Sequence, residues 1–277
     1  MDILILGGSG AIGTRMVESL RSEGNNVIFT SRSDKAQHTL DTQFGRRRFV
    51  ADLRKIVMEE EPSIIVSALA DGVTKDRRKR LELANSEIDS WVLNAVEEFS
   101  QNIIFLKSEL EIANEKDRLY AEWDQFLPLR ERVYVLTLPK VSISHYRAGV
   151  FESSLVDDLS SGRSPHVVDN KRRVWTSTAE VIRTVRSLMI LTSQGCMDEQ
   201  SSQPFQCRGI SLENRTVSHI FKHLFETGGE LDSDLFEIVE SQDRSISTHF
   251  GHVDRIILGE IANDFKLFIE SFLRGSE

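Results

Sequence analysis

Three glycines near the start of the chain have a spacing that can bind phosphate. Gly7, Gly10 and Gly13 form the pattern G-x-x-G-x-x-G between the apolar run ILIL and an amphipathic segment. At a strand–helix junction the first glycine permits a tight turn, the second lets the backbone approach a pyrophosphate, and the third lets the helix pack on the strand. The helix start, with Ala11 and Ile12, then offers unpaired N–H groups. The pattern predicts a dinucleotide-binding loop, and the alternative is a glycine loop kept for packing only.

The segment TSRSDK (30–35) predicts which dinucleotide binds. An acid at this point, about twenty residues beyond the glycines, would hold the ribose 2′-OH of NAD, whereas an arginine can accept the 2′-phosphate of NADP. Arg32 lies between Ser31 and Ser33, and a guanidinium with neighbouring hydroxyls suits a phosphate. We therefore expect NADP(H) to be preferred, with NAD(H) as the second option because Asp34 is close.

Six short apolar segments predict strands that must position these residues. Continuous apolar runs are typical of strands covered on both faces of a parallel sheet. The segments are DILIL (2–6), NVIFT (26–30), RFVADL (48–53), SIIVSALA (63–70), NIIFL (102–106) and VYVLTL (133–138). Helices are expected between most of them, notably over 80–99 and 115–127. This alternation predicts an α/β fold, a Rossmann-type doubly wound parallel sheet. Asp52 would end the third strand and could contact the adenine amino group, or it could cap the next helix.

Tyr120 and Asp124 lie four positions apart in LYAEWDQF, residues 119–126. In a helix this spacing places both side chains on one face, one turn apart. They could form an active-site pair, or Tyr120 could be a buried aromatic residue beside an ordinary surface acid. An apolar stripe at helical spacing supports the second interpretation. It comprises Leu119, Tyr120, Trp123, Phe126 and Leu127.

Length and charge limit the classes of protein. The chain has 277 residues and a formal net charge of −9. This acidic balance argues against nucleic acid or an anionic membrane as a partner. No apolar run approaches the ~18 residues of a membrane span. Two cysteines, Cys196 and Cys207, are too few for a disulfide framework and lack zinc-ligand spacing. A cytoplasmic protein without a metal site is expected.

Several of these segments resemble the extended short-chain dehydrogenase/reductase superfamily. GGSGAIG is similar to its glycine pattern, ADL (51–53) to the acid after its third strand, and VSALA (66–70) to its fourth-strand end. ANSEIDSWVLNAVEEF, with Asn85, resembles its next helix. The segment 139–185 looks like the branch that acts on nucleotide sugars, with most likeness to dTDP-4-dehydrorhamnose reductases and related 4-keto-sugar reductases and epimerases. The resemblance covers most of the chain, strongly to residue 106 and loosely after 196. It implies that Asp52, Leu53 and Ala68 contact the cofactor.

The resemblance also implies a hydroxyl at the end of the fifth strand and a Tyr-x-x-x-Lys motif on the following helix. Ser108 matches the hydroxyl position, Glu109 an acid common in the reductase branch, and Tyr120 the tyrosine that exchanges a proton with the substrate carbonyl. The family lysine lowers the pKa of the phenol and holds the ribose. Asp124 occupies its position, and a carboxylate there would raise the pKa of Tyr120. Reduction could survive because a neutral phenol can still donate a proton, and Lys107 or Lys116 could supply the missing cation.

Later residues predict substrate contacts. His145 and Arg147 follow the sixth strand, at the sheet edge where ligands of open α/β sheets bind. Arg173, with Arg163 on the other side of SPHVVDNKR, would suit a diphosphate, with surface charge as the alternative. His219 and His223 are spaced i, i+4, but no nearby acid or cysteine completes a metal site. A plain amphipathic helix is expected there.

The sequence predicts one division into domains and leaves two alternative functions. A Rossmann domain is expected over 1–140 and 172–195, and a small, mainly helical C-terminal substrate lobe over 141–171 and 196–277. The first function is an NADP-dependent reductase or epimerase of a 4-keto nucleotide sugar with an altered site, with a homodimer as a candidate assembly. The second is a non-catalytic relative that keeps the nucleotide pocket for regulation or subunit assembly. Asp124 and a short linker between residues 108 and 120 favour the second.

Overall fold

The computed structural model consists of two compact units. The described residues are 1–32, 36–69, 78–108, 131–144, 151–165, 171–194, 205–229, 237, 239 and 252–275. The first unit comprises Met1–Leu138 and Ile182–Gln206, and the second comprises Pro139–Val181 and Cys207–Glu277. In the part of the chain that is described, no helix is both long and apolar enough to span a membrane.

The first unit contains a seven-stranded parallel sheet. Its strands are β1 (Asp2–Leu6), β2 (Asn26–Ser31), β3 (His38–Thr39), β4 (Ile64–Ser67), β5 (Asn102–Ser108), β6 (Val133–Leu138) and β9 (Phe205–Gln206). Their spatial order is β3-β2-β1-β4-β5-β6-β9, and every pair is parallel. The chain moves outward from β1 to β3 and then returns to β4 on the other side of β1. The predicted Rossmann-type doubly wound sheet is confirmed.

Helices cover this sheet. They are α1 (Ala11–Ser22), α2 (Arg46–Glu60), α3 (Arg78–Val96) and most of α5 (Thr178–Ser193). Residues 3–6 of β1 are fully buried, as expected for a strand covered on both faces. Phe49 of α2 and Trp91 of α3 pack with their ring centroids 5.7 Å apart. Their contact belongs to a core that joins α2 and α3 to the sheet.

The strand predicted over RFVADL is wrong, because residues 48–53 lie within α2. The buried residues of this segment are Phe49, Leu53, Ile56 and Val57, which is the i, i+4, i+7, i+8 spacing of a helix. Asp52 therefore neither ends a strand nor caps a helix. Its side chain is 44% exposed and lies 3.6 Å from Arg48 one turn away. Leu53 is fully buried in the core, so neither residue has the position that its predicted cofactor contact required.

The second unit contains a three-stranded sheet that was not predicted. Its strands are β7 (Lys140–Val141), β8 (Arg172–Thr176) and β10 (Ile210–Glu213), and its helices are α4 (Phe151–Ser160), α6 (Asn214–Glu226) and α7 (His252–Gly275). Strand β8 is central, parallel to β7 and antiparallel to β10. This pairing explains a difference from the expected domain boundary: residues 172–181 belong to the second unit.

Side chains of α7 fix the start of α5 within the second unit. The buried carboxylate of Asp264 accepts hydrogen bonds from the backbone N–H of Thr178 (2.9 Å) and from the hydroxyl of Ser142 (2.7 Å). One turn away on α7, Glu260 accepts a hydrogen bond from the hydroxyl of Ser177 (2.6 Å). Negative charge at a helix N-terminus is favourable because the helix dipole is positive there.

Candidate cofactor site

The glycine turn joins β1 to α1 through short backbone hydrogen bonds. Gly7 has φ +79, a conformation that strongly favours glycine. The N–H of Gly10 donates to the carbonyl of Gly7 (3.0 Å), and the N–H of Gly8 donates to the carbonyl of Thr30 on β2 (3.0 Å). The tight turn predicted for Gly7 is thus present, and the loop is held against β2.

Packing explains Gly13 but makes little demand at Gly10. A Cβ atom at Gly13 would lie 2.3 Å from the Gly7 carbonyl oxygen and 2.8 Å from the Gly8 Cα, both backbone atoms. A Cβ atom at Gly10 would have a single neighbour within 4 Å, the Gly7 oxygen at 3.2 Å. Gly10 is therefore much less crowded than Gly13, which suits the approach of a pyrophosphate to its backbone.

The start of α1 has the properties of an anion site. Gly10 is its N-cap, no side chain caps the helix, and the first turn contains no acid. The N–H of Thr14 is the first to bond back into the helix, to the carbonyl of Gly10 (2.9 Å). Among the described residues, the N–H groups of Ala11, Ile12 and Gly13 have no backbone acceptor. Such groups, together with the helix dipole, favour a phosphate.

The end of β2 borders this loop. The hydroxyl of Ser31, a buried residue, donates to the hydroxyl of Ser9 in the glycine loop (2.8 Å). Arg32, the next residue, is exposed. The predicted position of Arg32 beside the loop is therefore compatible with reaching a ligand there. Ser33 lies outside the described residues.

Asp41 follows the true third strand and was missed by the sequence analysis. The N–H of Leu40 donates to the carbonyl of Ser31 (2.9 Å), which holds the end of β3 beside β2. The carboxylate of Asp41 accepts a hydrogen bond from the N–H of Gln43 (2.9 Å). Asp41 thus occupies the strand-end position that had been assigned to Asp52. The signal was the sequence HTLD, but a two-residue strand is too short to show a periodic pattern.

Ala68 lies where the strand order of the sheet reverses. It follows β4, and its N–H donates to the carbonyl of Leu6 at the end of β1 (2.9 Å). The Ala68 carbonyl oxygen is 3.0 Å from the position of a Cβ atom on Gly7. Ligands of open α/β sheets bind at this kind of reversal, outside the carboxyl ends of the strands.

Ser108 is the last residue of β5, at the same carboxyl edge of the sheet. It is half-buried and pairs in register with Leu138 of β6. Lys107 precedes it, and neighbouring strand residues point to opposite faces of a sheet. The ammonium of Lys107 forms a buried ion pair with Asp89 of α3. Lys107 is therefore engaged in the core, which does not favour it as a replacement cation.

Five residues that were discussed as catalytic groups or substrate contacts lie outside the described residues. They are Glu109, Tyr120, Asp124, His145 and Arg147.

In the second unit, Arg173 is exposed on β8. Arg163 lies 3.0 Å from the carboxylate of Asp158. On α6, His219 is half-buried between buried apolar neighbours such as Ile220. No group of three or more potential metal ligands occurs among the described residues.

The strand order and the glycine turn define a Rossmann-type α/β protein. Residues 3–132 match the model of the NAD dependent epimerase/dehydratase family. The match covers slightly less than half of the chain, and the fold is similar to that of solved nucleotide-sugar epimerases and reductases. No curated protein matches the sequence.

Solved structures share the fold at low sequence identity. A UDP-glucose 4-epimerase from Thermotoga maritima, solved with UDP-glucose, is 16% identical, with a TM-score of 0.61 and all of both chains covered. A GDP-L-fucose synthetase from Naegleria fowleri bound to NADP is 14% identical, with a TM-score of 0.65 over 99% of this chain and 94% of that one. A dTDP-4-dehydrorhamnose reductase from Clostridium acetobutylicum is 16% identical, with a TM-score of 0.59 over 82% of this chain and 81% of that one.

Proposed function

We propose that the first unit binds NADP(H) at the start of α1 and that the protein reduces or epimerises a 4-keto nucleotide sugar. The observation that carries the cofactor proposal is the set of three N–H groups without backbone acceptors at the start of α1, next to the weakly crowded Gly10. A loop kept for packing would need glycine far more at position 13 than at position 10. The family match and the neighbours solved with NADP or UDP-glucose support the class of reaction.

Arg32 supports NADP over NAD. Arg32 is an exposed residue one position beyond β2, where the adenosine ribose of a dinucleotide on α1 would lie. The 2′-phosphate would gain a charge-assisted hydrogen bond from this side chain. Asp41, at the end of β3, is the candidate for contact with the adenine amino group in place of Asp52.

For the chemical step, Ser108 would polarise the substrate carbonyl and Tyr120 would donate the proton while the nicotinamide supplies hydride. Ser108 is at the carboxyl edge of β5, on the ligand side of the sheet. Arg173, exposed on β8, is the candidate for the diphosphate of the substrate, with Glu109, His145 and Arg147 as further candidate substrate contacts.

A second function is favoured by one observation, the burial of Lys107 with Asp89. Because this lysine is already paired in the core, it offers no obvious replacement for the cation that Asp124 removes from the family motif. A chain without that cation would bind the dinucleotide without using it, as a regulatory or assembly subunit.

The first experiment is a fluorescence titration with NADPH and, separately, NADH. We expect micromolar binding with NADPH preferred, and a loss of that preference in Arg32→Ala. Arg15→Ala is the matched control, because it removes a partly exposed arginine from the first turns of α1, where the side chain lies 3.4 Å from Glu18. If neither NADPH nor NADH binds, the cofactor proposal is refuted.

The second experiment tests turnover. NADPH oxidation is followed by the absorbance of the reduced nicotinamide at about 340 nm. The substrates are UDP- or dTDP-linked 4-keto sugars. We expect Tyr120→Phe to abolish turnover and Tyr134→Phe to preserve it, since the Tyr134 hydroxyl only donates to the carbonyl of Glu131 (3.0 Å). Tight NADPH binding with neither NADPH oxidation nor epimerisation of any such sugar would favour the non-catalytic function.

A further inference from the structure

An amine, a carboxyl group and two aromatic rings meet in the second unit. The Nζ atom of Lys140 on β7 lies 3.7 Å from a carboxylate oxygen of Glu152 on α4. It also lies 3.9 Å from the ring centroid of Trp175 and 4.4 Å from that of Phe151. Strand pairing fixes this arrangement, because Lys140 and Trp175 are partners in the β7–β8 register.

The Lys140 side chain is partly exposed, whereas Glu152 and Trp175 are buried. It is 25% exposed, whereas the Glu152 side chain is 2% exposed and Trp175 is fully buried. Lys140 is therefore the accessible member of a cluster whose walls are rigidly packed. Trp175 in turn packs edge-on against Phe265 of α7, with centroids 5.8 Å apart.

This environment disfavours charge on both ionisable groups. Burial lowers the pKa of Lys140 to about 8, opposed by the carboxylate of Glu152 and reinforced by the charge of Arg173. Burial also raises the pKa of Glu152, opposed by Lys140. Near pH 8 roughly half of the Lys140 side chains would be free amines, against less than about 1% for a lysine of ordinary pKa.

We propose that Lys140 is the nucleophile of a carbonyl-binding site, which captures an aldehyde or ketone as an imine with Glu152 as its proton donor and acceptor. The amine nitrogen attacks the carbonyl carbon to form a C–N bond, and the oxygen takes a proton to become a hydroxyl. Glu152 then protonates that hydroxyl, which leaves as water, and the nitrogen loses its remaining proton. One amine and one carbonyl compound thus give one imine and one water, with no oxidation or reduction.

The pairing of the Lys140 amine with the Glu152 carboxyl group indicates that the ligand is a carbonyl compound. Imine formation needs a free amine for the attack and a nearby acid for the loss of water. An amine alone would suit any electrophile, but the adjacent carboxyl group of Glu152 selects for a reaction with a dehydration step. The rings of Trp175 and Phe151 provide an apolar wall beside the amine.

The test uses pyridine-4-carbaldehyde with cyanoborohydride near pH 8, followed by mass-spectrometric mapping of the modified lysines. This probe is neither a nucleotide nor a sugar, so the result does not depend on the proposed cofactor or substrate. Lys55 on α2 is the control for an exposed amine, because its side chain is 73% exposed. Lys107 is the control for a fully buried one.

We expect Lys140 to be modified at least about 10-fold faster than Lys55, with Lys107 unmodified, because a larger share of Lys140 is free amine. In Glu152→Gln the Lys140 rate should fall several-fold while the Lys55 rate is unchanged, provided that circular dichroism shows a folded protein. Modification of Lys140 no faster than Lys55 in the unaltered protein would overturn the proposal, whatever the variants do.

Discussion

Alanine substitutions at Gly10 and Gly13 separate ligand binding from packing within one loop. Both changes add a single methyl group three residues apart. At Gly13 the new Cβ would meet backbone atoms at 2.3 and 2.8 Å, which cannot move without shifting the turn. At Gly10 it would meet only the Gly7 oxygen, at 3.2 Å. The two variants should therefore fail in different ways.

The expected magnitudes follow from these contacts. Gly13→Ala gains about 0.5–1 kcal/mol of helix propensity but loses about 1–3 kcal/mol or more to overpacking against the backbone, for a net loss of about 1 kcal/mol or more. Gly10→Ala should lose about 0.5–1 kcal/mol, because alanine is a poorer N-cap than glycine. Its methyl group would stand in front of the free N–H groups, and a loss of one phosphate contact worth about 1.4 kcal/mol weakens binding tenfold.

Urea denaturation and dinucleotide titration measure the two effects on the same samples. Gly13→Ala should lower the urea midpoint clearly, whereas Gly10→Ala should lower it slightly and raise the dissociation constant for NADPH at least about tenfold. If Gly10→Ala binds NADPH as tightly as the unaltered protein, the reasoning that assigns Gly10 to the cofactor is refuted. If Gly13→Ala keeps the urea midpoint, the packing argument is refuted.

Three further predictions concern stability. Lys107→Met should lower the free energy of unfolding by about 3–5 kcal/mol, because it leaves the buried carboxylate of Asp89 without its cation. Adding Asp89→Leu should recover much of this loss. Additive losses of the two changes in urea denaturation would contradict the prediction. Asp264→Ala should lower the free energy of unfolding by about 2–3 kcal/mol, because the N–H of Thr178 and the neighbouring donor lose a buried charged acceptor. An unchanged urea midpoint would refute this prediction. Burial, Arg215 and Lys222 lower the pKa of His219 below its ordinary 6.5, so the folded state binds a proton less readily than the unfolded chain. Stability should therefore fall as the pH drops below about 6.5, and His219→Gln should weaken that dependence between about pH 7.5 and 5.5.

The strands of the sheet centre could be predicted because their signal is local. The apolar runs of β1, β2, β5 and β6 are continuous, since each strand is covered on both faces. The glycine spacing likewise predicted a turn that the structure contains. The class of fold followed from these elements alone.

The wrong strand prediction arose because a short apolar run fits both the period of a strand and the period of a helix. RFVADL contains three apolar residues that could alternate in a strand, and only the further spacing to Ile56 and Val57 shows the helix. The real third strand has two residues, and its acid, Asp41, carries no periodic signal. Asp41 was therefore not predicted, and the strand end was assigned to Asp52.

Contacts between distant segments had no local signal at all. Lys107 and Asp89 meet because α3 packs on β5, and neither residue type is expected in a core. Lys140 meets Trp175 because β7 and β8 pair across thirty-five positions of sequence, 175 minus 140. These pairings depend on tertiary packing, which composition and spacing do not reveal.

The glycine turn is held on three sides before any ligand arrives: by Gly13 packed on Gly7, by the backbone bond from Gly8 to Thr30, and by the hydroxyl pair of Ser9 and Ser31. A surface already fixed in this way loses little conformational entropy when it binds a ligand. The ordering cost of association at this loop therefore falls mainly on the flexible dinucleotide, and the protein contributes a preorganised half of the complex.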